Sequence, residues 1–268
     1  MKAAAIQMTS GPDVAVNLQQ ARALLAEARE SGASLAALPE NFAIMGVRSN
    51  DKIDAAEADG RGPIQDCLAE TAQKLSLWIV AGTMPLRIEG ERRVAAASLV
   101  FNSKGERVAR YDKIHLFDVD VPDRTESHRE SASMAPGHTP VVLDTPLGRI
   151  GLAVCYDMRF PELFRQMSAD GAQIFTLPSA FTAPTGRAHW ETLLRARAIE
   201  NLCYVIAPAQ SGFHASGRET YGDSMIVDHW GRILQRLPRG TGVVVAEIDL
   251  PAQARVRESF PALTHRVL

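Results

Sequence analysis

One of the three cysteines in the chain lies where an apolar run gives way to a polar turn. Cys155 follows residues 150–154 in the segment GRIGLAVCYDMRFPELFR, and Pro161 stands where a helix would begin. A thiol on such a strand-to-helix turn projects from a sheet edge, and the next backbone N–H groups can face a developing oxyanion. The pattern makes Cys155 a candidate nucleophile. Alternatively, Cys155 packs as a small buried hydrophobe, as free cysteines often do.

Two other chemically capable side chains also lie at predicted strand ends. Glu40 ends the run SLAALPE, and Lys113 lies in VARYDKIHLFDVD. Burial at a strand end should raise the pKa of Glu40 and make it a better base, although alone it could equally be a surface or capping carboxylate. Lys113 could likewise be an ordinary solvated lysine. Moving a proton from Cys to Glu costs roughly 5.7 kcal/mol in water. We therefore expect a shielded site in which Lys113 favours the thiolate and then the oxyanion.

Alternating apolar and amphipathic segments predict the elements that would carry these residues. The apolar runs predict strands at 3–8, 34–39, 77–84, 95–101, 150–154, 173–177, 203–207, 224–227 and 242–248. The amphipathic segments predict helices at 14–31, 64–75, 162–169 and 189–201. Asp13 can cap the first helix and Gly32 can end it. The alternation predicts helices packed over sheets.

Three glycine-containing gaps between β-rich runs predict hairpins. They are NSKGER, TPLGR and DHWGR, and they make the predicted sheets mixed rather than purely parallel. The longest predicted loop covers 118–139, and a loop of that length is usually functional or disordered. Without a linker or low-complexity segment, we predict one continuous domain over residues 1–268.

The composition narrows the class of protein. The 268 residues include 29 Lys and Arg against 31 Asp and Glu, with no basic stripe, which argues against a nucleic-acid partner. The N-terminal apolar run is too short for a signal peptide core or a membrane span. An odd number of separated cysteines favours a reducing compartment, so we expect a cytoplasmic protein. His115, Asp118 and Asp120 do not form a zinc pattern, and we predict neither a metal nor a cofactor.

The three motifs together resemble the nitrilase, or carbon–nitrogen hydrolase, superfamily. The resemblance is carried by LPENF, RYDKIHLFD and GLAVCYDMRFPE, and it continues through SAFTAPTGRAHWETLLRARAIEN and YGDSMIVDHWG. It implies an α/β fold, a four-layer α-β-β-α sandwich with two mixed sheets, and a homodimer or larger homo-oligomer. The segments KIHLFDVDVP, ESASMAPG and CYDMRFPEL are most similar to the Nit subgroup, which contains omega-amidase and deaminated glutathione amidase.

The resemblance also implies roles for further residues. Glu130 matches the second active-site glutamate, although it could be a simple loop carboxylate. Arg159, Phe181 and Thr185 match positions that hold a substrate carboxylate in the subgroup; Arg159 could instead form a salt bridge at the helix start. The backbone N–H of Tyr156 would join Lys113 in receiving the oxyanion.

These features predict an amidase that cleaves a small carboxylate-bearing amide through a cysteine thioester and releases ammonia or an amine. The substrate would be an alpha-keto acid omega-amide or an amide of the deaminated glutathione type. True nitrilases usually continue the nucleophile as Cys-Trp-Glu, whereas this chain has Cys-Tyr-Asp, which favours an amide over a nitrile. Hydrolysis of an N-carbamoyl compound is an alternative within the same chemistry. An inactive interaction module is the alternative that is not an enzyme.

Overall fold

The computed structural model describes residues 1–48, 50–120 and 127–267. The α-helices in these residues are α1 (Val14–Glu30), α2 (Asp51–Asp54), α3 (Pro63–Leu75), α4 (Pro161–Ala169), α5 (Ala183–Asn201) and α6 (Leu250–Ser259). Short 3-10 helices cover Glu130–Ala132, Cys155–Arg159 and Ala262–Thr264. None of the described helices is long and apolar enough to cross a membrane.

The strands form two large sheets and two small ribbons. In chain order they are β1 (Lys2–Gln7), β2 (Leu35–Ala37), β3 (Trp78–Val80), β4 (Met84–Arg87), β5 (Val94–Phe101), β6 (Arg107–Asp112), β7 (Asp118–Asp120), β8 (Ser127–Arg129), β9 (Met134–Ala135), β10 (Val141–Thr145), β11 (Gly148–Leu152), β12 (Ile174–Thr176), β13 (Tyr204–Ala207), β14 (Ser211–Phe213), β15 (Glu219–Tyr221), β16 (Ser224–Val227), β17 (Ile233–Leu237) and β18 (Gly242–Glu247).

Both large sheets are mixed, as the sequence predicted. The first has the order β18-β1-β2-β3-β5-β4, with β6 and β9 also paired to β5, and the second has the order β10-β11-β12-β13-β16-β17. Strands β1, β2 and β3 run parallel, as do β11, β12 and β13, while the flanking pairs are antiparallel. The three predicted hairpins are confirmed as β5–β6, β10–β11 and β16–β17.

The two sheets stack face to face, and helices cover their outer faces. Ala3, Ala5 and Val80 of the first sheet share one apolar core with residues of the second sheet such as Leu152 and Ile206. Helices α1 and α3 pack their apolar faces on the other side of the first sheet. Helices α4 and α5 contribute apolar side chains to the core on the side of the second sheet. The predicted α-β-β-α sandwich is therefore confirmed.

The start of α5 and the long loop differ from the prediction. Helix α5 begins at Ala183, not at 189, because Pro184 lies in the first turn, where a missing N–H does no harm. Gly186 continues the helix against the Tyr221 ring, since a Cβ there would lie 2.2 Å from a ring carbon. The predicted loop at 118–139 contains β7, β8, β9 and a 3-10 turn in its described part; residues 121–126 lie outside the described residues. The short α2 was also missed.

Gly82 sets the path of the chain beside Glu40, and an alanine there should be strongly destabilising. Its φ is +52°, and a Cβ would lie 2.0 Å from the carbonyl oxygen of Pro39. We expect Gly82→Ala to lower the free energy of unfolding by about 3 kcal/mol, because backbone atoms must move. Urea unfolding measures this loss. Gly11→Ala is the control, since a Cβ at Gly11 meets nothing within 4 Å; equal midpoints for the two variants would contradict the argument.

Candidate active site

The lysine and the two glutamates singled out from the sequence meet in one buried cluster. Lys113 Nζ lies 2.8 Å from Glu40 Oε1 and 3.0 and 2.8 Å from the two oxygens of Glu130. Glu130 Oε2 also accepts a hydrogen bond of 2.7 Å from the backbone N–H of Phe117. Lys113 is 1% exposed and Glu40 4%. One ammonium therefore bridges two carboxylates in a site that excludes most solvent.

Cys155 reaches this cluster from the second sheet. It follows β11 at the first position of a 3-10 helix, with a φ of +48° that is rare for a residue with a side chain. Its backbone N–H donates to the carbonyl of Pro178 at 2.9 Å. The buried thiol lines the same cavity as the Glu40 carboxylate and helps to lower the pKa of Glu40. The strained turn thus brings the sulfur to the cavity that holds the glutamate.

The pKa directions define the resting charges of the site. Burial alone would raise the pKa of Glu40, but the charge and hydrogen bond of Lys113 outweigh it and lower the pKa below 4.5. Burial would lower the pKa of Lys113, but Glu130 and Glu40 hold it well above 10.5. Burial and the Glu40 charge raise the pKa of Cys155, against the opposing charge of Lys113. The resting site therefore holds a thiol, an ammonium and carboxylates.

This result corrects the expected direction for Glu40. Burial does act on Glu40, but the sequence alone does not show that Lys113 Nζ lies only 2.8 Å away. The expected favouring of the thiolate by Lys113 is present but is outweighed at rest. The proton therefore stays on the sulfur in the resting site.

A buried aspartate, which sequence reasoning did not single out, links the cysteine turn to the lysine segment. Asp157 is fully buried, and its Oδ2 accepts hydrogen bonds from Val154 N–H at 2.8 Å and from Tyr111 Oη at 2.7 Å. Its Oδ1 accepts from His115 N–H at 3.0 Å and lies 2.7 Å from His115 Nδ1. Tyr111 and His115 flank Lys113 in the chain. One carboxylate therefore fixes the cysteine relative to the lysine.

Asp157→Asn should impair catalysis through this link. Asn replaces one accepting oxygen with a donor, so the bonds to the backbone and to Tyr111 can no longer all form. We expect kcat to fall about 100-fold with KM changed less than threefold, because a misplaced nucleophile costs rate rather than binding. Steady-state kinetics and thermal unfolding would be measured together. A loss of stability with unchanged kcat would show that Asp157 serves only the fold.

The cluster opens into a cavity of about 480 Å³. Of the residues predicted to contact substrate, Tyr156, Phe181 and Thr185 line this cavity with Glu40 and Cys155. The Thr185 hydroxyl lies 2.8 Å from the hydroxyl of Thr182 in the first turn of α5. Two distant segments of chain, at 156 and at 181–185, thus form one wall of the cavity that holds the sulfur.

Arg159 does not line the cavity but contacts two residues that do. Its guanidinium is 5.4 Å from the ring centroid of Phe181 and 5.7 Å from that of Tyr156. It also lies 3.3 Å from His189 Nδ1. Its role in binding a carboxylate stays a prediction, and the structure places two aromatic rings beside it.

Two cations in the cavity lining, Lys52 and Arg218, were not found from the sequence. Lys52 lies on α2, and Arg218 lies at the turn before β15. No neighbouring motif in the sequence indicates either residue, because each reaches the cavity only through the packing of its segment of chain. His115, Asp118 and Asp120 do not converge either: His115 contacts Asp157, and Asp120 pairs with Arg129.

The comparisons with known proteins identify the class that this fold and cluster define. The model of the carbon–nitrogen hydrolase family matches residues 2–258, so the chain belongs to that family. The resemblance proposed from the motifs is confirmed, and the protein is an amidase.

Individual relatives agree over nearly the whole chain. The deaminated glutathione amidase of Synechocystis sp. is 45% identical over 269 residues, covering 99% of this chain and 97% of that protein. Saccharomyces cerevisiae Nit3, a member of the nitrilase superfamily, superposes with a TM-score of 0.90 at 30% identity, covering 100% of this chain and 97% of Nit3. A mutant amidase from Nesterenkonia sp. AN1, with acrylamide added to its active site cysteine, has a TM-score of 0.80 at 27% identity, covering 97% and 98% of the two chains.

Proposed function

We propose that this amidase hydrolyses deaminated glutathione, a compound in which an alpha-keto acid replaces the amino acid of the γ-glutamyl group. The bond cleaved is the amide that joins this acyl group to cysteinylglycine, and the products are 2-oxoglutarate and cysteinylglycine. The likeness to deaminated glutathione amidase over almost the full length supports this substrate. The observation that carries the chemistry is the Lys113 ammonium, held 2.8 Å from Glu40 next to the buried Cys155 thiol.

In the first half of the reaction, Cys155 Sγ attacks the amide carbonyl carbon while Glu40 takes the thiol proton. The C–S bond forms, and the carbonyl oxygen gains the negative charge. Lys113 and the backbone N–H of Tyr156 stabilise this oxyanion; one such donor typically contributes on the order of 3 kcal/mol. The C–N bond then breaks, and Glu40 returns its proton to the leaving nitrogen. The products of this half are a thioester and a free amine.

In the second half, water replaces the amine. Glu40 removes a proton from water while the water oxygen attacks the thioester carbon. The C–S bond then breaks as the second tetrahedral intermediate collapses. The proton held by Glu40 returns to sulfur. Glu130 positions Lys113 throughout, which its two contacts of 3.0 and 2.8 Å to Nζ support. No cofactor or metal takes part in the proposed cycle.

The acyl carboxylate binds at the wall beside the sulfur. Thr185 supplies a hydroxyl there, Tyr156 and Phe181 supply the surface, and Arg159 behind them supplies positive charge. Arg159 would reach the carboxylate by displacing its contact with His189, since guanidinium groups bind carboxylates through two parallel hydrogen bonds.

A competition between four substrates tests the proposal. The protein is given deaminated glutathione, 2-oxoglutaramate, an N-carbamoyl amino acid and an aliphatic nitrile, and the release of amine, ammonia and acid is measured. We expect the largest kcat/KM for deaminated glutathione and at least tenfold less for the N-carbamoyl compound and the nitrile. A preference for either of these two, or no hydrolysis of the amides, would reject the proposal.

We further propose that the enzyme is a cytoplasmic homodimer. Ile199, Trp230 and Phe260 are each about half exposed, at 49%, 50% and 52%, and the rings of Trp230 and Phe260 are in contact at 5.6 Å. An apolar surface of this kind suits an interface between copies. Three buried, unpaired cysteines suit a reducing compartment. Sedimentation equilibrium should give twice the chain mass, and Trp230→Glu should shift it toward one chain.

A further inference from the structure

The cavity lining carries more positively charged side chains than the catalytic cluster requires. The described lining residues include five Lys or Arg side chains but only two carboxylates, Glu40 and Glu130. Lys113 is shared by both carboxylates. Two of the other cations already have acidic partners outside the cavity lining: Arg48 pairs with Asp51 at 2.7 Å, and Arg129 pairs with Asp120 at 3.0 Å. Lys52 and Arg218 remain, so their positive charge is left for a ligand.

Lys52 has no partner of its own in the described part of the chain. No described residue makes an ion pair or a hydrogen bond with its ammonium. Among the acidic groups, Glu130 acts most strongly on Lys52, but its oxygens already accept from Lys113 Nζ and from the N–H of Phe117. Burial lowers the pKa of Lys52, while the charges of Glu130 and Glu40 oppose that shift. An anion from the substrate would complete this environment.

Arg218 is similarly incomplete. It donates one hydrogen bond to the carbonyl of Ala180, yet its buried Nε has no acceptor in the described residues. Its charge also acts on Lys52, and both side chains line the cavity. A buried guanidinium nitrogen without an acceptor is costly and is normally satisfied by a ligand or by water.

The position of Lys52 relative to Glu40 indicates which part of a substrate would reach it. Glu40 delivers the proton to the leaving nitrogen, so whatever is attached to that nitrogen must pass Glu40. Lys52 lines the cavity within electrostatic range of Glu40 and Glu130, whereas Tyr156 and Phe181 lie beside Cys155 on the side assigned to the acyl group. A leaving amine that passes Glu40 can therefore reach Lys52.

We infer that Lys52 and Arg218 form a subsite for a carboxylate on the leaving amine, so that the enzyme selects amides whose amine half is a short acidic peptide over primary amides. This inference rests on the proposed function and deepens it. The subsite is held in place by Asp51, whose Oδ2 accepts from the backbone N–H groups of Val47 and Arg48 at 2.8 and 2.9 Å. Gly46 permits this close packing, because a Cβ there would lie 2.7 Å from Asp51 Cβ.

The test uses Lys52→Met and three substrates with the same acyl group. The first is deaminated glutathione, the second is its C-terminal carboxamide, and the third is the primary amide 2-oxoglutaramate. We expect Lys52→Met to lower kcat/KM for deaminated glutathione about 30-fold, mainly through KM, because a charge-assisted hydrogen bond is lost. The fall should be at least tenfold smaller for the carboxamide and the primary amide. Lys74→Met, on the exposed face of α3, is the matched control, and thermal unfolding checks the fold of each variant.

Equal falls on all three substrates would overturn the inference, because Lys52 would then serve the catalytic acids or the acyl half. An unchanged kcat/KM for deaminated glutathione would overturn it as well. Both results are distinguishable from failure of the proposed function, in which the wild-type protein hydrolyses none of the three amides and both proposals fall. Arg218→Met should reproduce the pattern of Lys52→Met if the two cations bind one carboxylate.

Discussion

Cys155→Ala is expected to lower kcat for amide hydrolysis by on the order of 10⁴-fold or more, because without the sulfur no thioester can form. The remaining cluster can still bind the substrate, since Lys113, Glu40 and Glu130 hold one another without the thiol. We therefore expect the variant to bind substrate or product with an affinity within a few fold of the wild type. Product release over hours and calorimetric binding would measure the two effects.

The matched control for this variant is Cys67→Ala. Cys67 is also buried, but it lies on α3, outside the cavity lining, and its sulfur accepts a hydrogen bond of 3.0 Å from Arg22 Nε. Its removal should leave kcat within about twofold of the wild type. If Cys155→Ala retained more than about 1% of the wild-type rate, the assignment of the nucleophile would be wrong.

Lys113→Met is expected to abolish activity and also to destabilise the fold by about 3 to 5 kcal/mol, since breaking a buried ion pair leaves uncompensated charge. The Lys113 ammonium is the shared partner of Glu40 and Glu130, and Glu40 is as buried as the lysine itself. Without the Lys113 ammonium, the carboxylates of Glu40 and Glu130 would face each other in a site with little water. The free energy of unfolding in urea measures this loss, with Lys74→Met as the control.

A double variant separates the charge of Lys113 from its packing. Adding Glu40→Gln to Lys113→Met removes one of the two stranded carboxylates, so we expect part of the lost stability to return while activity stays absent. If the stability losses of the two single variants simply added, the ion pair would not be what holds the cluster together.

The same pair makes stability depend on pH in a defined direction. The pKa of Glu40 is lowered in the folded protein, so its contribution is fully present above the ordinary value of 4.5 and is lost as pH falls through the lowered pKa. The pKa of Lys113 is raised, so its contribution is present below 10.5 and is lost as pH rises through the raised pKa. Between these limits Glu40 and Lys113 both stay ionised.

The sequence was sufficient where function depends on a local pattern. Cys155, Glu40 and Lys113 each lie at a predicted strand end, and the three motifs that contain them identified the family. The hairpin signals and helix α1, with its cap at Asp13, were also local, and the structure confirms them. Local patterns succeed here because turns, caps and strand ends are decided by neighbouring residues.

What the sequence did not predict depends on contacts between distant segments. The direction of the Glu40 pKa depends on an ammonium 73 residues away in the chain. Lys52 stands in an ordinary polar segment and Asp157 directly after Tyr156, and only packing links Asp157 to the lysine segment and brings Lys52 into the cavity lining. Arg159 lies close to Cys155 in the chain, but its guanidinium contacts the rings of Phe181 and Tyr156 and does not line the cavity. Its role in binding a carboxylate stays a prediction.

The most direct measurement is the mass of the protein trapped during turnover. Wild-type enzyme mixed with excess deaminated glutathione and quenched in acid within milliseconds should carry the added mass of one 2-oxoglutaryl group, and peptide mapping should place it on Cys155. Two results would contradict the proposed mechanism. One is an adduct on Cys67 or Cys203. The other is turnover without any acyl-enzyme under conditions in which thioester hydrolysis is rate-limiting.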